Sequence, residues 1–524
     1  MATGSAAPET TPRDGREGRR VLLVLALAAL AIGGALAVRA GLKRSRLHQA
    51  AAAASSALAR DTYGGYRDVD FALRDLVVPG SPEVNLAAER AFALAQLSAR
   101  YADDQAEVES ELLLLPLERA QSPNPLVYAA RALLLLGKGE PGSALLAAGR
   151  APEGTASAEL EAVRASIAQA LERPDLAEQS IAAALRLSPK LLLALRTEAE
   201  LARARKDFPR AVQAYRQALL ENPRHVPSLL ARAEMAEAGQ AGDPARSADE
   251  LERQLPLFAA EGSPGEQCDA LATLAQLDLR LGHALAASSH LDRAQTIDEA
   301  PASCRVELAR LDRRLGRDAA ALGLLRVAVE DDDPGEAPLV LAEVTTNPKE
   351  ALDWAGKPPP PNLPPRDRDR WSARATAAEV TARLAAGDRR GAEAASAPLE
   401  GVEVWQAEVA LARLSGARAQ ARLLAEAERR ADRSSSPGDA LTAVGEAALA
   451  LRLDGLAAQA CEVGAAKGLG NLRALLCEAR ALHAAGKDEA ARAALDRAAA
   501  IDPGALAVDQ LRSALATAQP PGAR

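Results

Sequence analysis

The sequence has 524 residues, which is enough for two to four ordinary domains or for one long array of repeats. Almost half of the residues, 48%, are hydrophobic but only 2% are aromatic, so the cores must be built from Ala and Leu, which favour helices. The net charge of −8 is modest for this length, and the basic residues form no cluster of the kind that binds nucleic acid, so no nucleic-acid partner is expected.

The N-terminus has the pattern of a membrane anchor. Residues 1–20 are expected to form a disordered tail, and eighteen uncharged, mostly apolar residues follow from Val21 to Val38. As a helix this segment would extend about 27 Å, close to the ~30 Å hydrocarbon core of a bilayer. Arg20 precedes it and Arg39 follows it. We therefore predict one transmembrane helix over residues 21–40.

Cleavage and orientation of this segment are open at the level of sequence. Ala35-Leu36-Ala37 resembles a signal-peptidase site, but the basic residues directly after it disfavour export of a cleaved chain. Basic residues flank both ends of the segment in similar number, so the positive-inside rule gives almost a tie. By analogy with bacterial signal-anchored proteins, we expect a single-pass protein of the inner membrane with a periplasmic large domain.

Small residues then recur at a spacing of 34 residues, and a proline closes the unit. The matching pairs are Ala165 and Ala199, Ala177 and Ala211, Ala184 and Ala218, and Pro189 and Pro223. The last tract repeats the pattern with Ala479, Gly486, Ala491, Ala498 and Pro503. Tyr215 lies one helical turn beyond Ala211 and is expected to fill the space that the small residues leave.

This pattern of small residues, with Gly at the turn and Pro at the end, resembles the tetratricopeptide repeat (TPR), a helix–turn–helix unit of 34 residues. The best matching units start near Ala158, Leu192, Cys268, Ala302 and Leu472, and weaker units start near Pro125, Val226, Ser372 and Gly438. The resemblance implies an all-α, right-handed superhelical solenoid of 34-residue repeats, preceded by the transmembrane helix. Each hairpin would bury its apolar face only by stacking on its neighbours.

A proline-rich segment divides the repeats. Residues 356–369 contain a run of prolines, which is extended and fairly stiff, so we predict a non-helical linker there. It would join an N-terminal stack over residues 48–355, with some degenerate repeats, to a C-terminal stack over residues 370–517. The stretch from Leu506 to Ala516 is predicted to cap the array, and residues 518–524 to form a tail.

The four cysteines fall into two pairs along the chain, Cys268 with Cys304 and Cys461 with Cys477. None belongs to a C-x-x-C motif and no pair of His residues lies near them at ligand spacing, so a zinc site is not expected. One interpretation is four small buried apolar residues. The other is one or two disulfides, which would require an oxidising compartment.

The sequence contains none of the common enzyme motifs. It lacks a G-x-x-x-x-G-K-[ST] phosphate loop, a G-x-S-x-G nucleophile turn and an H-E-x-x-H zinc motif. We therefore expect no enzymatic activity, no catalytic residues, no cofactor and no metal.

The resemblance also implies a binding surface, because the first helices of TPR units line a concave groove that holds a peptide or a partner helix. Carrying that face over to this chain gives Arg196, Glu200, Arg203, Gln276, Arg280, Arg310, Arg313, Arg314, Arg473, Arg480 and His483. Repeated Arg suggests an acidic peptide or a terminal carboxylate, since guanidinium groups pair with carboxylates. The alternative is a solvated face. Arg196 and Glu200 stand where a chaperone-tail clamp would need Lys and Asn, so that ligand is not expected.

These features together predict a membrane-anchored TPR scaffold that mediates protein–protein interactions at the bacterial cell envelope. Its partners would be other proteins, bound in the groove, and the membrane, bound through one N-terminal helix. Two alternatives remain open at this level. The first is a periplasmic holdase-like accessory in envelope or export biogenesis, and the second is a regulatory subunit of an enzyme complex.

Overall fold

The computed structural model describes residues 38–39, 41–152, 154–331, 333–360, 363, 365–468, 470–503 and 505–517. All regular structure in these ranges is helical, as the sequence predicts. The predicted transmembrane segment falls outside the described residues, except for Val38 and Arg39, and so do both predicted tails. Within the described ranges, no helix combines the length and the apolar character that crossing a membrane requires.

The first part of the chain forms two entry helices and five helical hairpins. The entry helices are α1 (residues 41–58) and α2 (Tyr63–Leu73). The hairpins are α3 (Val84–Tyr101) with α4 (Asp104–Arg119), α5 (Pro125–Gly137) with α6 (Pro141–Gly149), α7 (Ala158–Ala170) with α8 (Pro174–Leu187), α9 (Leu192–Ala204) with α10 (Phe208–Glu221), and α11 (Val226–Glu237) with α12 (Pro244–Glu261).

The second part forms seven hairpins and a final helix. The hairpins are α13 (Pro264–Leu281) with α14 (Ala284–Ala294), α15 (Ala302–Arg314) with α16 (Asp318–Ala328), α17 (Ala337–Val344) with α18 (Pro348–Ala355), α19 (Pro365–Ala385) with α20 (Arg389–Ala395), α21 (Trp405–Leu414) with α22 (Ala417–Ala431), α23 (Pro437–Ala450) with α24 (Asp454–Lys467), and α25 (Leu472–Ala484) with α26 (Asp488–Ile501). The final helix is α27 (Leu506–Thr517), at the position predicted for a cap.

Local sequence signals set the helix boundaries. Ser263 begins α13 with a capping box, in which its hydroxyl accepts from the backbone N–H of Glu266 and the Glu266 carboxylate accepts from the backbone N–H of Ser263. Gly282 ends the same helix in the left-handed conformation with φ of 81°, which costs glycine little. Gly486 takes a similar conformation in the turn between α25 and α26. The predicted Gly turns of the repeat therefore lie between paired helices.

The small residues of the repeat pack the helices together. All ten residues assigned to repeat packing are buried, with side chains 0 to 2% exposed: Ala165, Ala177, Ala184, Ala199, Ala211, Tyr215, Ala218, Ala479, Ala491 and Ala498. Tyr215 packs in one cluster with Ala199 and Ala211, and Met235 of the next hairpin joins it. A large ring thus fills the space beside two close-packed backbones.

The proline-rich segment differs from its prediction. Helix α19 begins at Pro365, so residues 365–369 are helical and the prediction of a non-helical linker is wrong there. Proline is compatible with the first turn of a helix, where its missing N–H has no partner to lose. Leu339, Leu363 and Trp371 form one apolar cluster, so the hairpins on the two sides of the segment pack against each other.

Both cysteine pairs form disulfides. Cys268 on α13 is bonded to Cys304 on α15, and Cys461 on α24 is bonded to Cys477 on α25. The second interpretation of the cysteines is therefore the correct one. Each bond joins helices of successive hairpins and lies in the apolar interior between them, where the four residues are at most 2% exposed.

The array curls until distant helices meet, at two places. The first coil, α2 to α12, closes where Arg60 pairs with Glu261 at 3.0 Å, across 201 residues of sequence. The second coil, α13 to α25, closes where Arg314 on α15 pairs with Asp439 on α23, across 125 residues. Gly470, which precedes α25, lies against the backbone of Leu279 at the end of α13.

Candidate functional site: a basic cavity in the second coil

The predicted groove residues of the first coil are engaged with other parts of the chain. Arg196 is only 8% exposed, and it donates to Asp61 at 2.9 Å and to Glu200 at 2.7 Å. Arg203 donates to Glu234 of the next hairpin at 2.6 Å. Contrary to expectation, Arg196 therefore offers no free cation to the groove. A ligand-binding role for Glu200 and Arg203 stays a prediction.

Asp61 is the centre of a buried network that explains the position of Arg196. Its carboxylate accepts from Arg196, from Arg100 at 3.1 Å and from the Tyr66 hydroxyl, and His225 Nε2 lies 3.4 Å away. Burial alone would raise the pKa of Asp61, but the Arg196 and Arg100 guanidiniums hold it well below its usual range. The network fastens the entry segment to the first coil.

The wall around α13 carries acidic side chains. Gln276 donates to Glu307 at 2.8 Å, and the Arg280 guanidinium donates to the backbone carbonyl of Glu237. Asp269 lies on the same helix, and burial in the concave wall together with nearby carboxylates such as Glu307 raises its pKa to about 7. Gln276 and Arg280 thus link neighbouring first helices beside an acidic strip.

Closure of the second coil brings together predicted groove residues that belong to separate repeats. Arg313 and Arg314 lie on α15, and Arg473 lies on α25. Arg314 makes hydrogen bonds of 2.8 to 3.1 Å to both oxygens of Asp439, and Arg473 pairs with Glu446 at 2.7 Å. The two ends of the coil are therefore joined by bidentate pairs, the strong geometry for Arg and carboxylate.

This closure surrounds a cavity of about 1900 Å³, which we name the basic cavity. Helices α15, α17, α19, α21, α23 and α25, which are the first helices of their hairpins, supply most of its wall. Ten Arg and eight carboxylate side chains line it, although the whole chain carries a net charge of −8. The sequence analysis missed six of the ten: Arg366, Arg370, Arg374, Arg413, Arg430 and Arg433.

The other predicted residues of this part differ in position. Arg310 lines the basic cavity and pairs with Glu336 at 2.7 Å. Arg480 and His483 follow Arg473 on α25 but lie outside the lining. Arg480 is exposed, and His483 Nδ1 lies 2.8 Å from Asp488 within its own hairpin. The structure thus separates Arg480 and His483 from the other predicted residues of the second coil.

The arginines of the basic cavity divide into paired and free groups. Arg374 makes two hydrogen bonds of 2.8 Å to Glu343, and Arg430 donates to Glu426 at 2.9 Å. In the described ranges, no ion pair is made by Arg366, Arg370, Arg413 or Arg433. Several guanidiniums therefore remain open to a ligand.

Two cations of the wall lack full compensation. Burial lowers the pKa of Arg413, and the Glu446 carboxylate opposes this only in part. Burial and the neighbouring Arg473 guanidinium lower the pKa of Arg313. The Nε of Arg313 has no hydrogen bond among the described residues, since its nearest carboxylate, Asp318, is 3.6 Å away. An anion placed here would stabilise both charges.

The missed arginines belong to a region where the sequence analysis left a gap. It started units near Ser372 and Gly438 but none between them, so the hairpin of α21 and α22 was not found. A step of 34 residues forward from Ser372 reaches Gln406, and the same step back from Gly438 reaches Val404. Both lie beside Trp405, where α21 begins. The regular spacing was therefore a sufficient signal for this hairpin.

The stacked hairpins, their small-residue packing and their Gly turns define a TPR-like helical solenoid. No protein-family model matches the chain, and no curated protein matches it. Among solved structures the chain is similar to Pseudomonas aeruginosa PilF, at 17% identity over 40% of this chain and 95% of that one, with a TM-score of 0.33. It is likewise similar to PilW, described as a type IV pilus biogenesis factor, at 18% identity over 46% and 92% of the two chains, with a TM-score of 0.32.

A third similar structure covers more of the chain. It is the Cut9–Hcn1 hetero-tetramer of the APC/C, with 12% identity over 86% of this chain and 92% of that one, at a TM-score of 0.31.

Proposed function

We propose that the protein is a TPR-type scaffold that holds a protein partner in the basic cavity of its second coil. The observation that carries the proposal is the size and charge of that cavity. Its volume of about 1900 Å³ exceeds the ~300–1,000 Å³ of pockets for small ligands, so it suits a segment of a polymer. Free guanidiniums in its wall supply polar contacts.

A site-specific photocrosslinker tests this proposal in whole cells. We place p-benzoylphenylalanine at Thr381, which lines the basic cavity on α19, and as a control at Leu285, which is 74% exposed on α14. We expect a discrete crosslinked product, containing one protein identified by mass spectrometry, from Thr381 and none from Leu285. Equal products from both positions, or none from Thr381, would contradict the proposal.

We further propose that the segment from Val21 to Val38 anchors the chain in the inner membrane, with the repeats on the periplasmic side. The two disulfides support this orientation, because disulfides persist in oxidising compartments and are rare in the cytosol. The uncharged length of the segment supports the anchor.

Reporter fusions after Arg524 test the orientation. One reporter is active only in the periplasm, and the matched control reporter is active only in the cytoplasm. We expect signal from the periplasmic reporter alone. Signal from the cytoplasmic reporter alone would contradict the proposed orientation and would direct the search for partners to the inner face of the membrane.

One observation favours the holdase as a second candidate. Helix α4 carries an exposed apolar stripe of Val108, Leu112 and Leu115, whose side chains are 44 to 59% exposed. Spacings of three and four residues place them on one helix face, where an unfolded chain can bind. If the stripe has this function, Leu112→Asp abolishes suppression of aggregation of an unfolded client, while Arg413→Gln leaves it unchanged. The reverse result would exclude the holdase.

A further inference from the structure

Three arginines from three repeats gather around one carboxylate where the second coil closes. Arg473 pairs with Glu446, and the charge of Glu446 also acts on Arg313 and Arg413, which lie on α15 and α21. All four residues line the basic cavity. The group, which we name the arginine cluster, therefore has three cations and one anion at its centre.

The arginine cluster retains positive charge after its internal pairing. Glu446 compensates Arg473, and Arg314 beside the cluster is compensated by Asp439. Arg413 makes no ion pair among the described residues, and the Asp318 carboxylate that faces Arg313 is itself 64% exposed. A half-buried cation without a counter-charge is costly, and an anionic ligand group removes that cost.

The surroundings of the arginine cluster indicate what carries the anionic group. Trp405 and Val409 on α21 also line the cavity, on the same helix as Arg413, so apolar surface lies beside the cations. Two further free guanidiniums, Arg370 on α19 and Arg433 after α22, line other parts of the wall. A ligand that matches this wall has several anionic groups separated by apolar groups along one chain.

We propose that the arginine cluster binds carboxylates of an extended acidic peptide segment in the partner, whose apolar side chains pack on Trp405. Guanidinium groups suit carboxylates because their N–H donors match the two oxygens. The peptide is favoured over a free inorganic anion because the wall offers apolar surface between its cations. This inference rests on the proposed function and names the chemistry of the partner at the same site.

Binding of defined peptides to the full chain in detergent micelles tests the inference. The probe is a fluorescein-labelled peptide of alternating Glu and Leu, and its counterpart has Gln in place of Glu. We expect the Glu peptide to bind, and Arg413→Gln to weaken it about tenfold, the value of a charge-assisted hydrogen bond. Arg480→Gln removes an exposed Arg outside the cavity and should leave the affinity unchanged.

Other outcomes would overturn the inference in separate ways. Equal affinity for the Gln peptide, or an equal loss with Arg480→Gln, would remove the acidic preference. Inorganic polyphosphate binding with the same dependence on Arg413 would show a general polyanion site. If neither peptide binds while the crosslinker at Thr381 captures a protein, the inference fails and the proposed function stands; if that crosslinker also captures none, both fail. Arg413→Lys, which keeps the charge, should weaken the peptide less than Arg413→Gln, and circular dichroism verifies that each variant folds.

Discussion

At the scale of single residues, Asp61 shows how one buried carboxylate fastens the entry segment to repeats far along the chain. It accepts from Arg100 on α3 and from Arg196 on α9, and His225 before α11 lies beside it. Its side chain is 2% exposed. Removing one partner of such a buried pair leaves the other charge uncompensated, and this is the expensive case.

We therefore expect Asp61→Asn to destabilise the first coil by about 3–5 kcal/mol at pH 7, because Arg100 and Arg196 lose their shared counter-charge. The measurement is urea unfolding of the wild type and the variant. As the matched control, Asp68→Asn removes a carboxylate that pairs with Arg60 at the surface and is 62% exposed, so it should cost little.

The pKa of Asp61 gives this difference a pH dependence. Since the pKa in the folded state lies well below the unfolded value of about 3.9, Asp61 stabilises the fold above pH ~4 and loses that contribution as the pH falls through its folded pKa. The difference between wild type and Asp61→Asn should therefore shrink below pH ~4. A difference that stays constant down to acid pH would contradict the assignment.

Small residues at the hairpin joints give a second prediction. Ala211 is fully buried beside Tyr215, and we expect Ala211→Leu to overpack the joint and cost about 1–3 kcal/mol. Thermal unfolding measures the loss. Ala182→Leu is the matched control, since Ala182 is exposed on α8. Equal effects of the two variants would show that the tight packing at Ala211 does not limit side-chain size.

These two sites differ in what the sequence could predict. Ala211 follows from the 34-residue spacing, because its neighbours belong to its own hairpin and the next one. The environment of Arg196 does not follow, because its partner Asp61 lies 135 residues away and outside any repeat unit. A repeat register identifies the residues on a helix face. It gives no distance between faces that meet only when the array curls.

At the scale of helices, the contact that closes the second coil depends on the absence of a side chain. Gly470 has φ of 71°, and a Cβ atom there would overlap the carbonyl group of Leu279 at the end of α13. Gly486 has nearly the same φ, 72°, but a Cβ atom there would contact nothing within 4 Å. The two positions therefore share the backbone cost of a substitution and differ in the steric cost.

We expect Gly470→Ala to separate α25 from α13, and Gly486→Ala to leave that contact intact. Both variants carry about 1–2 kcal/mol for the left-handed backbone, and Gly470→Ala carries about 1–3 kcal/mol more from the clash. Hydrogen exchange at the start of α25 and the end of α13 measures the separation. The same exchange rates in both variants would mean that this contact does not hold the coil closed.

Regular spacing also explains which helices were predictable. Helices begin at Ala158, Leu192, Ala302 and Leu472, as the repeat pattern indicates. The hairpin that begins at Val84 was missed because its first helix lacks the matched small residues that guided the register. Its helices are long instead, and α4 continues through Pro116. Such degenerate units are recognised by the packing of their neighbours, which a single sequence does not display.

At the scale of the whole molecule, the two disulfides lie on the two sides of the second closure. One joins α13 to α15, which carries Arg313 and Arg314, and the other joins α24 to α25, which carries Arg473. Stability in a repeat array is approximately a sum over units and their interfaces. Each disulfide should therefore stabilise the hairpins that it joins, on either side of the basic cavity.

We expect the double variant Cys461→Ala with Cys477→Ala to lose about 2–4 kcal/mol of local stability, the usual contribution of a native disulfide. Hydrogen exchange should accelerate in α24 and α25, with α3 to α10 unchanged. Cys268→Ala with Cys304→Ala, in turn, should accelerate exchange in α13 and α15. If either variant accelerated exchange along the whole chain equally, the array would unfold as one cooperative unit. If neither changed the exchange, helix packing alone would hold the second closure, and the disulfides would add nothing to the rigidity of the basic cavity.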